Sequence, residues 1–131
     1  MGSASSYFGS GGGGSPVLGV VQITTGGNQA ITGIGFQPSY VQAHVVSDGT
    51  DWISQSDGYS DGSTNACNNL SIQGGTGDLE FSGNYPSFSY VTTNPSTSSQ
   101  CRGTITIQSD GFTIVKSASQ HVAELFYVCF P

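Results

Sequence analysis

The stretch from Cys101 to Lys116 constrains the fold most, because it alternates between two faces and turns once in the middle. In its first half, one set of alternating residues is small or apolar and the other is polar: Cys101, Gly103, Ile105 and Ile107 against Arg102, Thr104, Thr106 and Gln108. A period of two is typical of a half-buried β-strand. Ser109-Asp110-Gly111 supplies turn chemistry, and Phe112 to Lys116 follows as a second extended run. The sequence therefore predicts an antiparallel hairpin here.

A second stretch with a regular sequence pattern runs from Ile31 to Val46. It contains the glycine-punctuated turn Gly33-Ile34-Gly35-Phe36-Gln37-Pro38, and then an alternating run from Ser39 to Val46. Pro38 fixes its own φ and disfavours a helical conformation at the residue before it, so the turn leads into a strand. We expect this strand to place one set of residues on the core face and another on the opposite face: Val41, Ala43 and Val45, against Tyr40, Gln42 and His44.

The rest of the chain shows the same pattern of short strands and turns, and no helical period. Further strands are predicted at residues 20–25, 29–34, 52–56, 66–72, 79–82, 87–93 and 121–130. The last of these strands is apolar on both faces, so we expect both faces to be buried. Another subunit would cover the second face. Asp57 to Ser63, with two Asp-Gly pairs, is expected to be a loop. The prediction is an all-β antiparallel β-sandwich, jelly-roll-like, with a small barrel as the alternative.

The first nineteen residues differ in composition from the rest, being dominated by Gly and Ser. Such a segment is flexible in solution and buries too little to become ordered alone. We expect an extended N-terminal arm at residues 1–19 and the sandwich domain at residues 20–131. Contact with a neighbouring molecule would hold the arm; an added expression tail or a disordered tail is the alternative. The expected anchor residues are Tyr7, Phe8, Val17 and Leu18.

The charge of the chain excludes two classes of partner. The net charge is −6, and Arg102 and Lys116 are its only basic residues. Binding to a phosphate backbone requires several Lys or Arg contacts, so no nucleic-acid partner is expected. No attraction to anionic membranes is expected either, and the sequence shows neither a membrane-spanning apolar run nor a signal segment.

The three cysteines cannot complete a disulfide framework, because their number is odd. They are Cys67, Cys101 and Cys129, and none has zinc-ligand spacing. Buried, apolar thiols are the favoured interpretation, since free cysteine is among the most buried residue types. One disulfide plus one free thiol is the alternative.

No motif indicates catalysis or a resident metal. His44 and His121 lack a second ligand at metal spacing, and no G-x-S-x-G elbow occurs. We therefore expect no enzyme activity, no cofactor and no metal. Counted from Asp57, the calcium loop of an EF-hand fails at its third and twelfth positions. A loop site for a surface glycan or an ion stays open, and core packing is the alternative for its tryptophan. The residues of that loop site are Asp48, Asp51, Trp52, Asp57, Tyr59 and Asp61.

Several of these segments, in this order, resemble a known family. They are ITGIGFQP at Ile31–Pro38, the strand with Val41, Ala43 and Val45, the Asp61-Gly62 turn, SDGFTI at Ser109–Ile114 and the closing LFYVCF. The chain from Val20 to Phe130 resembles a β-sandwich domain of structural proteins in tailed bacteriophages.

The resemblance implies a component of the virion, assembled in the host cytoplasm. A capsid cement (decoration) protein would clamp neighbouring capsid subunits through its arm and loops. Its partners would be the major capsid protein and copies of itself, as a trimer. The alternative is a tail-fibre or baseplate tip domain that binds a host surface glycan.

Overall fold

A computed structural model describes residues 14–48, 52–77, 79–85, 89–94, 99–119 and 121–131. Every regular element in these ranges is a β-strand, and every paired strand is antiparallel, so the predicted all-β antiparallel class is confirmed. No helix in these ranges is long and apolar enough to cross a membrane. The strands are β1 (Val17–Ile23), β2 (Gln29–Thr32), β3 (Tyr40–Asp48), β4 (Trp52–Ser60), β5 (Asn65–Gln73), β6 (Leu79–Tyr85), β7 (Ser89–Asn94), β8 (Ser99–Gln108), β9 (Gly111–Ser119) and β10 (Ala123–Phe130).

The strands form two sheets. The larger sheet has six strands in the order β1-β10-β3-β4-β5-β6, and the smaller sheet has four in the order β2-β9-β8-β7. The predicted hairpin is confirmed as β8 and β9, which pair from Cys101↔Ser119 to Gln108↔Gly111. The strands at the two ends of the chain, β1 and β10, are neighbours in the larger sheet. Sequence separation therefore does not decide the order of strands in this fold.

One hydrophobic core is shared by the two sheets. The larger sheet contributes Val41, Ala43 and Val45, the face predicted to be buried, and also Ile23, Ala123, Leu125 and Cys129. The smaller sheet contributes Ile31, Cys101, Ile105, Phe112 and Ile114, and Ile34 joins from the turn after β2. Burial of these side chains is the main favourable contribution to folding. The alternation in the sequence therefore correctly predicted which side chains of β3 and β8 face the core.

The glycine-punctuated turn after β2 is tied to the hairpin turn between β8 and β9. The Asp110 carboxylate accepts hydrogen bonds from Gly33 N at 3.0 Å, through Oδ2, and from Gly35 N at 2.6 Å, through Oδ1. The backbone N of Ile34 donates to the Asp110 carbonyl at 3.3 Å. Gly33 and Gly35 have φ of 80° and 89°, in the region that favours glycine. Two segments that are far apart in the sequence thus form one structural unit.

A polar cluster lies inside the larger sheet at the β4–β5 end. Ser54, Asn69 and Ser71 are buried, and their side chains bond to one another. Asn69 Nδ2 donates to Ser54 Oγ at 2.7 Å, Ser71 Oγ donates to Asn69 Oδ1 at 2.9 Å, and the two hydroxyls are 2.9 Å apart. Strand β7 packs against β3, β4 and β5. The inner surface of this sheet is therefore apolar near β1, β10 and β3, and hydrogen-bonded near β4 and β5.

Two predicted boundaries differ from the structure. The expected loop at Asp57–Ser63 is wrong in its first half, because residues 57–60 continue β4 and Gly58 pairs with Cys67 of β5. An Asp-Gly pair is a local turn signal, and pairing with strands on both sides overrides it here. Strand β1 begins at Val17, so the expected arm boundary at residue 19 falls inside a strand. Gly19 faces inward there, and any side chain on it would collide with the ring of Tyr127.

Candidate functional site

The surface that stands out is the side of the larger sheet that faces away from the core. We call it the outer face. Because side chains alternate along a strand, residues paired across strands share a face. The cross-strand pairs Val20↔Phe126, Phe126↔His44 and His44↔Asp57 form one continuous row on this side. The outer face includes Leu18, Val20, Tyr40, Gln42, His44, Ile53, Asp57, Tyr59, Ile72, Phe126, Val128 and Phe130.

Next to the edge of the sheet, the outer face is apolar and open to solvent. Leu18 is 74% exposed, Val20 59% and Phe126 44%. Together with Val128 they line a shallow groove of about 400 Å³, which we call the apolar groove. Large apolar side chains clustered on a surface mark a binding site more often than single ones do. Burial of this group by a partner would be favourable.

A hydrogen-bonded histidine–aspartate pair lies at the inner end of the apolar groove. His44 Nδ1 and Asp57 Oδ1 are 2.6 Å apart, with the two side chains 41% and 60% exposed. The His44 ring lies 6.2 Å from that of Phe126, at a tilt of 49°. An exposed pair of this kind contributes little to stability, about 0–1 kcal/mol. The pair places hydrogen-bonding groups with a defined geometry at one end of the groove, which favours a role in specificity.

Aromatic rings gather at the end of the outer face where β3 begins and β10 ends. The rings of Tyr40 and Tyr59 are stacked, with centroids 5.7 Å apart and planes 20° apart, and Phe130 lies 5.7 Å from Tyr40. Burial raises the pKa of the Tyr40 hydroxyl, and the neighbouring Tyr59 raises it further. A second groove of about 420 Å³ lies beside these rings, lined also by Gln42, Asp57 and Asn68. Rings flanked by amide and carboxylate groups can both stack and hydrogen-bond.

The residues predicted for a glycan or ion loop do not come together. Asp57 and Tyr59 lie on the outer face, whereas Trp52 faces inward and is only 7% exposed. Asp61 lies in the next turn, where its Oδ1 accepts hydrogen bonds from Thr64 N at 2.6 Å and from Ser63 N at 2.9 Å. Those bonds hold the pKa of Asp61 below its ordinary value of 3.8. Asp51 and the side chain of Asp48 lie outside the described residues.

The four residues predicted to anchor the arm do not form one site either. Tyr7 and Phe8 lie outside the described residues. Val17 faces inward and packs against the core, whereas Leu18 points outward into the apolar groove. The sequence interpretation had not singled out Val20 or Phe126. For Phe126 the signal was present, since both faces of the last strand read as apolar; for Val20 nothing local distinguished it from a core residue.

The three cysteines are free and buried. Burial raises the pKa of the Cys101 and Cys129 thiols to about 11 in each case. Burial also raises the pKa of Cys67. Such thiols stay protonated near neutral pH and are poor nucleophiles and metal ligands. Among the described residues, no group of His, Cys, Asp and Glu is arranged to hold a metal ion.

One serine–histidine contact lies outside the outer face. Ser47 Oγ is 3.0 Å from His121 Nδ1, which also lies 3.0 Å from the Val122 carbonyl oxygen. Ser47 is only 4% exposed, so a substrate could not reach its hydroxyl without movement of the sheet. The contact anchors the start of β10 to β3.

Comparison with protein-family models, with curated proteins and with solved structures found no match.

Proposed function

We propose that this chain is a structural protein of a virion, of the cement (decoration) kind, which binds neighbouring capsid subunits through its outer face and its N-terminal segment. The observation that carries the proposal is the apolar groove. Leu18, Val20 and Phe126 are exposed on the surface of a chain in which only 8% of residues are charged. A protein that worked alone in solution would gain nothing from exposing them, whereas a subunit packed among others buries them.

The fold and the resemblance support the same proposal. We infer that the two sheets form a β-sandwich of the jelly-roll-like kind, since they share one core while one side of the larger sheet stays uncovered in the described part of the chain. Two of the segments that carry the phage resemblance, ITGIGFQP and SDGFTI, are tied together by Asp110. These segments stabilise the fold, whereas the apolar groove and the N-terminal segment would contact the capsid subunits.

The test is the location of the protein on purified particles. Heads and tails separated from virions that contain this chain should show it on heads, in stoichiometric amounts by quantitative mass spectrometry. The proposal further predicts that Phe126→Asn lowers its occupancy on heads. Ile72→Asn is the matched control, because Ile72 lies on the same face and is 41% exposed against 44% for Phe126.

Two results would contradict the cement proposal. One is recovery of the protein from tail fractions alone. The other is equal occupancy of the Phe126→Asn and Ile72→Asn variants, which would mean that the apolar groove does not bind the particle.

The second candidate is a tail-fibre or baseplate tip domain that binds a host surface glycan. The stacked Tyr40 and Tyr59 rings favour it, with Gln42, Asp57 and Asn68 beside them, because sugar rings stack on aromatic faces while amides and carboxylates bond their hydroxyls. Retention of the isolated domain on host cells, lost in Tyr59→Ala, would support this function. Absence of retention in the unmodified domain would remove it.

A further inference from the structure

The free edge of β1 differs from the other sheet edges in the described part of the chain. The edges are β1 and β6 in the larger sheet, and β2 and β7 in the smaller one. Proteins protect edges with short strands, charges or bulges, because an unpaired edge is a template for another strand. Strand β2 has only four residues, β6 contains Glu80, and the pairing of both β6 and β7 shows a register shift. Each of these three edges therefore has some protection.

Strand β1 has none of these devices, although the Gln22 carbonyl near its end already accepts a hydrogen bond from Gln29 Nε2 at 2.8 Å. Its seven residues, VLGVVQI, carry no charge and no proline, and all seven pair in register with β10. No described strand pairs with its other side. The strand is thus long, regular and rich in β-branched residues, which suits it to accept a further strand.

The charge of the protein favours contact at this edge over contact elsewhere. Two copies with a net charge of −6 each repel one another, so they can meet closely only where charge is sparse. Strand β1 has no charged residue, and its neighbour β10 has only Glu124, which pairs with Gln22 near the far end from Leu18. The half of the edge that holds Leu18 and Val20 is therefore neutral.

The edge is also complementary to itself. An antiparallel pair of identical strands about a two-fold axis satisfies the free backbone groups of both copies, and both copies present the same face of the sheet on the same side. With the two-fold axis at Gly19, this pairing places Leu18 of each copy opposite Val20 of the other. These side chains are 74% and 59% exposed in the single chain. Their burial would add a hydrophobic contribution to the backbone hydrogen bonds.

We propose that two copies of this chain associate through the free edge of β1, as an antiparallel pair that joins their larger sheets into one continuous sheet. The two apolar grooves then become neighbours on one side of the dimer. A second copy of the chain is thus the partner of Leu18 and Val20, which are part of the surface used in the proposed function. The dimer depends on the exposure of these side chains and not on their location in a virion.

The experiment measures self-association of the purified full chain by sedimentation equilibrium over a range of concentrations. We expect a monomer–dimer equilibrium of the 13.4 kDa chain. Because each substitution acts twice at a two-fold interface, Val20→Lys should raise the dimer dissociation constant by at least about tenfold. Ile53→Lys is the matched control, since Ile53 is 58% exposed against 59% for Val20 and lies on the same face, on an interior strand. It should leave the dissociation constant within about twofold.

Hydrogen exchange locates the contact independently of any variant. Amides of residues 17–23 should gain protection as the protein concentration rises, and those of β5 should not. A chain lacking residues 2–13 should still dimerise, because β1 begins at Val17.

Several outcomes would overturn the inference. They are a monomer at all concentrations, a trimer, equal effects of Val20→Lys and Ile53→Lys, and protection that appears away from β1. A full chain that dimerises only after removal of residues 2–13 would show that its own N-terminal segment occupies the edge. Because the particle fractionation above uses virions and this experiment uses purified protein alone, either proposal can fail while the other stands.

Discussion

Replacing Asp110 by alanine should destabilise the protein more than any other change of one exposed side chain in the two turns that it joins. The Asp110 carboxylate accepts two backbone hydrogen bonds from the turn after β2, from Gly33 at 3.0 Å and from Gly35 at 2.6 Å. A hydrogen bond to a charged group contributes about 1.5–3 kcal/mol, and less where water competes. Asp110 is exposed, so we take about 1–1.5 kcal/mol for each bond, or about 2–3 kcal/mol together.

That loss is large against the stability of an ordinary domain, about 5–15 kcal/mol. Urea unfolding followed by circular dichroism should show it as a lower midpoint. With a slope of about 1–3 kcal/mol per M, the midpoint should fall by about 0.7–3 M without a change in slope. Asp110→Asn keeps one acceptor oxygen but turns an amide group towards a backbone donor, so its effect should lie between those of wild type and alanine.

The control is Ser109→Ala, in the same turn. Ser109 is exposed, and such a surface substitution should stay within about 0.5 kcal/mol. A midpoint for Asp110→Ala no lower than that for Ser109→Ala would refute the reasoning, because it would show that the two bonds contribute nothing to the free energy of unfolding.

Three further predictions concern other buried or turn residues. Hydrogen bonds lower the pKa of Asp61 in the folded state, so the contribution of Asp61 to stability is present above its ordinary pKa of 3.8 and is lost as pH falls through the lower folded value. Asp61→Asn should remove this part of the acid sensitivity. The measurement is the free energy of unfolding from about pH 5 down to about pH 2. The thiols of Cys101 and Cys129, with pKa values of about 11 against 9.0, should react with a thiol reagent at least about 100-fold more slowly in the native protein than in urea, and fast native labelling would contradict their burial. Asn69→Ala leaves two buried hydroxyls with fewer partners and should cost about 1–3 kcal/mol in urea unfolding, whereas an unchanged midpoint would mean that the cluster does not stabilise the fold.

The sequence by itself determined the class of the fold and much of the orientation of individual strands. The alternation in β3 predicted that Val41, Ala43 and Val45 are buried, and they are. The Asp-Gly turn before Phe112 predicted the β8–β9 hairpin. These predictions succeed because side-chain alternation and turn chemistry depend on neighbouring residues along the chain.

Local signals were also misleading where tertiary pairing outweighed them. Asp57 and Gly58 read as a turn, but β3 on one side and β5 on the other extend β4 through them. The same pairing carries Asp57 onto the outer face opposite His44, while Trp52 of the same strand faces inward. The predicted loop site was therefore divided between two faces of one strand, which a loop assignment could not anticipate.

Only the tertiary structure decided which strands meet and which apolar face stays open. Both faces of β10 read as apolar, and the fold covers the one with Leu125 and Cys129 while leaving Phe126 exposed beside Val20. Likewise, nothing near Asp110 in the sequence indicates that its carboxylate binds the turn at Gly33 and Gly35. The reason is physical: a strand's own pattern fixes which residues share a face, but the order of strands and the cover of each face depend on how distant segments pack, and a period of two carries no information about the partner.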